Sequence, residues 1–337
     1  MKKNLLRGIL NIVAILIVGI NPVFAADVAL SMTSSTAEDP FAVQPARELI
    51  FEPIIRVGLF KTAEAVTFVS EFPYEVYSGE KFQGTLPAGE KATFTYLNKR
   101  YNFKSESLFF GSEGYVRLVP QDSEHYFALP SLTRTVAGRK KINFNAYRGT
   151  MEFRFSPKSN IPFVINELRL ELYVAGIAES ANDAAEEYLK ALLVAARSYA
   201  YSHISKLPPT EKRMFDVYAT TVDQLYLGYN SEGYMPRVVA AAHATAGEMV
   251  TYQGSPVVTP YFSRSNGKTK NWKNTPGGAD RPWLQSVPAL YDKGKTMLGH
   301  GIGMSNYDAM RRALKDGWTY DQTLKHYYTG VEVEKIY

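Results

Sequence analysis

Between Ile54 and Phe155 the apolar positions alternate with polar ones or gather into short β-branched and aromatic runs: I-I-R-V-G-L-F, A-T-F-T-Y-L, Y-V-R-L-V, I-N-F-N-A-Y and M-E-F-R-F. Turn-forming S-G-E-K, P-A-G-E and A-G-R-K separate them, which predicts a mostly β region. From Ile165 the pattern changes. V-I-N-E-L-R-L-E-L-Y-V leads into G-I-A-E-S-A-N-D-A-A-E-E-Y-L-K-A-L-L-V-A-A-R-S-Y-A, Gly176 to Ala200, whose last ten residues are apolar on nearly every face. That composition predicts a buried helix, starting near Asp183 where D-A-A-E matches a capping box. Strand candidates V-Y-A-T, E-M-V-T-Y, P-V-V-T-P-Y-F and W-L-Q-S-V follow. A helix near Ser305 (S-N-Y-D-A-M-R-R-A-L-K) and another over D-Q-T-L-K-H-Y-Y complete the chain. Helices and strands mix without strict β-α-β alternation, so the expected class is α+β: a mostly-β region over 48–160, then a mixed α+β domain over 161–337.

The N-terminus stands apart. A basic M-K-K-N-L-L-R precedes an apolar run too short to span a bilayer comfortably, and V-F-A offers a cleavage site before Ala26. Residues 1–25 therefore read as an export signal, with an uncleaved membrane anchor as the alternative, and 26–47 as a flexible lead-in. The signal carries Lys2, Lys3 and Arg7 and no acid, so the formal charge of +5 falls to +2 in the mature protein. So mild a balance argues little for nucleic acid. The chain has no cysteine, which excludes disulfides, thiolate metal sites and Cys nucleophiles.

Three clusters could carry chemistry. Arg197 lies among Ala195, Ala196, Tyr199 and Ala200, and a buried guanidinium must meet a carboxylate or several carbonyls. Glu179 lies just upstream of that helix; a structural acid elsewhere is the alternative partner. Lys190 is seven residues from Arg197, about 10 Å along the same face, although pairs with Glu186 or Glu187 would make it an ordinary surface lysine. The second cluster is Y-F-S-R-S-N-G-K-T, where Ser263 and Ser265 share a direction if a strand leaves Tyr261, and Asn266-Gly267 supplies a turn. No G-x-S-x-G accompanies them, so a polar hairpin tip competes with a nucleophile. The third is L-G-H-G-I-G-M-S, Leu298 to Ser305, where glycines frame His300 at a helix mouth. His125, His203, His243 and His326 show no ligand spacing, so neither a metal nor another cofactor is expected.

In this order the clusters resemble the stage II sporulation protein D family, which includes peptidoglycan lytic transglycosylases and amidase enhancers. The likeness runs from I-R-V-G-L through Y-R-G-T-M-E, K-A-L-L-V-A-A-R-S-Y-A, A-T-A-G-E-M-V-T-Y-Q-G and G-H-G-I-G-M-S to Y-Y-T-G-V-E-V-E-K-I-Y, nearly all of 54–337. The loop after Gly176 is about two residues shorter than the commoner E-M-P form, leaving Glu179 as the matching acid. Leu192, Ser198, Asn306 and Asp308 also depart from the usual residues. The resemblance implies an exported protein of the periplasm or cell-wall space, acting on peptidoglycan glycan strands, with Glu179 as general acid and base. Lys190, Arg197, Ser263, Ser265, His300 and Ser305 are the expected substrate-binding residues; because a close cation would lower the acid's pKa, Arg197 is expected to hold structure or bind substrate rather than pair tightly with Glu179. A water-using glycosidase needs two carboxylates across the sugar, whereas a lytic transglycosylase needs one, and partial burial beside Ile177 and Ala178 would keep that one protonated. The alternative is a non-catalytic wall-binding protein that stimulates a cell-wall amidase. No nucleic acid is implied, and membrane contact only through the uncleaved signal.

Overall fold

The computed structural model describes residues 51–136, 139, 142–204, 214–274 and 281–337. The expected signal and lead-in lie outside the described residues. Leu49–Tyr337 forms one compact unit of mixed α and β structure.

Alternation in the first half builds two sheets. The larger has seven strands, in the order Val217–Tyr218, Ile54–Lys61, Ile161–Arg169, Thr150–Ser156, Val116–Pro120, Tyr74–Ser78 and Lys81–Leu86. Its neighbours run antiparallel except at the Val217–Tyr218 edge, which is parallel to Ile54–Lys61. A four-stranded sheet of Val66–Phe68, Ala92–Leu97, Arg100–Lys104 and Phe109–Ser112 contributes the facing aromatic residues. Phe94 stacks on Phe153 of the larger sheet at 5.9 Å between ring centres and tilts against Phe68 and Phe103 at 5.0 and 5.2 Å. All four rings are buried, and the hydrophobic driving force for joining the two sheets sits here.

The Ile161–Arg169 strand passes directly into helix α1 (Leu170–Ala175), and α2 (Glu186–Ile204) follows. Helix α2 begins three residues after the Asp183 start that the capping-box pattern predicts. Its alanines at 191, 195, 196 and 200 are fully buried. Such small side chains let α4 (Pro236–Ala244), the Glu248–Tyr252 strand and α6 (Tyr320–Tyr327) pack close around it, while α3 (Tyr229–Tyr234) precedes α4 and α5 (Asn306–Lys315) precedes α6. W-L-Q-S-V forms no strand. Trp283 instead donates its indole N–H to the Val258 carbonyl at 2.8 Å, and Val287 donates its N–H to the Thr269 hydroxyl at 2.9 Å.

Candidate active site

A cleft of about 1410 Å³ opens beside α2, with Glu179, Asp223, Tyr261, Ser263, Trp272 and His300 among its walls. Glu179 is presented by a short piece of chain stitched to a distant one. Ala178 donates its N–H to the Leu225 carbonyl (2.8 Å) and Leu227 donates to the Gly176 carbonyl (2.9 Å). The Leu225 N–H in turn donates to Glu179 Oε1 at 2.9 Å. Ile177 and Ala178 beside it are 1% and 2% exposed. Burial raises the Glu179 carboxyl above its ordinary value, against smaller lowering effects of the Tyr261 hydroxyl and the Leu225 N–H. Oε2 is buried and no described residue reaches it with good hydrogen-bond geometry. A proton on that oxygen is therefore easier to keep than a charge.

The glycine-framed segment builds the opposite wall. Met304–Ser305 pairs in parallel with Tyr261–Phe262, and the two pieces touch so closely at Gly303 that a Cβ there would lie 1.9 Å from the Pro260 carbonyl oxygen. Gly303 also has φ +75°, so only glycine fits. The result is a fixed imidazole. His300 Nδ1 accepts the Ile302 N–H (3.1 Å), so the ring proton lies on Nε2, which donates to the Tyr261 carbonyl (3.1 Å). Burial lowers the His300 pKa; Lys270 adds to this, and the Tyr261 carbonyl opposes it.

Of the expected site residues, Glu179, Ser263 and His300 stand at the cleft. Arg197 does not reach it. The guanidinium is fully buried and donates to both oxygens of Glu171 (2.8 and 2.7 Å) and to the Glu248 and Ala242 carbonyls (3.1 and 3.2 Å). Its partner is the structural acid of α1 rather than Glu179. Lys190 pairs with Glu186 (2.7 Å) and Glu187 (3.1 Å) on the surface of α2, away from the cleft walls. Ser265 and Ser305 are sealed: the Ser265 N–H and the Ser305 hydroxyl both donate to Asp292 Oδ2, at 2.7 and 2.6 Å. Each of these four polar groups already has a partner within the protein, three of them in its interior and Lys190 at its surface.

Sequence reasoning missed Asp223 and Gln224. Asp223 is a second carboxyl at the cleft wall, accepting from the Tyr199 hydroxyl (3.0 Å) and the Tyr218 N–H (2.8 Å). Gln224 is 1% exposed beneath it. The signal available was the pair of polar residues inside the otherwise apolar V-D-Q-L-Y-L. Trp272, with the Arg281 guanidinium 4.1 Å over its ring, adds an aromatic wall. No group of three His, Asp or Glu able to hold a metal occurs among the described residues.

Residues 160–252 match the family model described as "Stage II sporulation protein", a stretch that contains Glu179, Arg197, Asp223 and Gln224 but ends before Tyr261 and His300. The stage II sporulation protein D of Bacillus subtilis is 23% identical, over 51% of this chain and 76% of that protein. An uncharacterized protein of Brachyspira hyodysenteriae is 30% identical over 69% of this chain, and the match spans 58% of that relative's length.

Proposed function

The chain belongs to the stage II sporulation protein D family, and from that premise we propose that it is an exported lytic transglycosylase of peptidoglycan glycan strands. The observation that carries this reading is the Glu179 carboxyl, which lines a cleft of about 1410 Å³ while burial favours its protonated form. Glu179 gives its proton to the oxygen linking muramic acid to the next glucosamine, and that bond breaks. The carboxylate then takes the proton of the same sugar's six-position hydroxyl as that oxygen closes onto the anomeric carbon. Proton and atoms balance with no external water, leaving an anhydro-muramyl end. Ser263 faces the sugars as a hydrogen-bonding group, while His300, neutral and with both ring nitrogens engaged, shapes the wall, and Trp272 supplies apolar surface.

Purified residues 26–337 should release anhydro-muramyl ends, lighter by one water than hydrolysed ends, without any amidase, and more readily from strands stripped of stem peptides. Glu179→Gln should lower the rate roughly 100- to 10,000-fold. Hydrolysed reducing ends as sole product would assign Asp223 as a second working carboxylate in a hydrolase. No glycan product, together with faster cleavage by an added amidase, would give the chain the enhancer role instead.

A further inference from the structure

Beneath Glu179 lies a chain of buried polar groups that glycan cleavage itself does not require. The Tyr173 hydroxyl is 2.8 Å from Gln224 Oε1, and Gln224 Nε2 is 2.9 Å from the Tyr261 hydroxyl and 3.2 Å from the Ala196 carbonyl oxygen. The Ala196 carbonyl can only accept, so the amide nitrogen of Gln224 must face it. That one contact orients everything else. Gln224 Oε1 faces Tyr173, whose hydroxyl must donate, and the second amide hydrogen goes to the Tyr261 oxygen. Having accepted there, Tyr261 still has its own hydrogen; it lines the same cleft as Glu179, whose buried Oε2 finds no partner of good geometry among the described residues, and the two groups lie close enough to shift each other's protonation. Tyr173 is fully buried and Gln224 nearly so, leaving little access for water to compete.

We infer that Tyr261 is a positioning residue for Glu179, held by Gln224 and Tyr173 in a hydrogen-bond chain that donates in one direction only, towards the carboxyl. The inference rests on the reading of Glu179 as the acid. Its chemical sense is a division of labour: burial favours the protonated acid of the first half-reaction, and the Tyr261 O–H supports the carboxylate of the second. The other groups facing this carboxyl are the Leu225 N–H, the Tyr173 and Tyr188 phenols and, through Tyr173, Asp223; Arg139 lies next door on the Ser180 carbonyl (2.8 Å). Because the Tyr261 carbonyl also accepts from His300, one residue sets both polar walls of the cleft.

The test is the titration of Glu179 itself, followed by carbon NMR of glutamate labelled at the side-chain carboxyl in the full mature chain, with Glu179→Gln identifying the resonance. Tyr261→Phe keeps the ring and removes the donor, and should raise the Glu179 pKa by about one unit. Gln224→Leu frees the Tyr261 hydroxyl from its anchor and should give a smaller rise in the same direction, with the Tyr173→Phe rise smaller again. If Tyr261→Phe does not fold, Gln224→Leu decides. An unchanged or lowered Glu179 pKa in the folded variants would overturn the inference. The measurement needs no substrate: wild-type protein that cuts no glycan would remove the transglycosylase reading while leaving the measured shift to stand.

Discussion

Arg197 shows how the environment of one residue decides its role. Arg197→Ala leaves Glu171 buried without its cation, and breaking a buried pair from one side costs about 3–5 kcal/mol. Lys190→Ala removes a partly exposed pair and should change stability by under about 1 kcal/mol. Equal melting losses in the two variants would contradict this difference. Glu179 acts on stability in the opposite sense. Its folded pKa lies above the unfolded one, so its favourable contribution is complete below the unfolded value and is lost as pH rises through the folded value. Glu179→Gln should therefore melt higher than wild type at neutral pH, with the gap closing as pH falls below about 4, the ordinary glutamate range. A gap independent of pH would show that the carboxyl is not strained. The burial of Arg197 was legible from its alanine neighbours, but its partner was not. Glu171 meets it only because α1 packs against α2, a relation that no local spacing encodes. Asp223 and Gln224 were hidden for a similar reason, since V-D-Q-L-Y-L has neither helix nor strand period.

Among elements, strongly alternating runs were the most readable. I-I-R-V-G-L-F, A-T-F-T-Y-L and M-E-F-R-F all became strands of the predicted kind. Helix α4 went unpredicted, because A-A-A-H-A has no polar face from which to read a period. I-N-F-N-A-Y kept only its end, Ala146–Arg148, as strand. The glycine-framed segment was legible as a site of close approach, though not as the anchor of a parallel pair. Gly303→Ala places a methyl group against the Pro260 backbone at a positive φ. It should separate Met304–Ser305 from Tyr261–Phe262, abolish cleavage and lower the melting temperature. Wild-type activity in that variant would show that the pairing is not what holds the cleft wall.

At the scale of the whole molecule, the mixed class was readable from the change of period near Ile165. The continuity of the sheet was not. Ile161–Arg169, just after the expected 160/161 boundary, pairs on both its edges with strands from before it, Ile54–Lys61 and Thr150–Ser156, because register depends on partners that no local pattern encodes. Charge is distributed as unevenly as polarity. Lys270 lies beside Gly301 and His300, Arg264 donates to the Thr296 carbonyl, and Lys295 and Arg311 both lie over the Tyr307 ring; none of the four has an ion pair among the described residues. Binding to glycan bearing free carboxylates should weaken steeply with salt and should be lost less steeply in Lys270→Ala. Salt-independent binding would assign recognition to the apolar walls alone.

The stitching of Glu179 to Leu225, and its contact with Tyr261, has a consequence for the history of each molecule. The Leu225 donor lies 46 residues further along the chain, and Tyr261 lies later still. A nascent or threading chain that has presented Glu179 but not yet these partners holds a solvated glutamate with an ordinary affinity for protons. Its raised affinity for protons comes into being only when synthesis has passed Tyr261 and these partners have packed around it. A carboxyl presented this way keeps its raised affinity for protons out of reach for as long as the chain is unfinished.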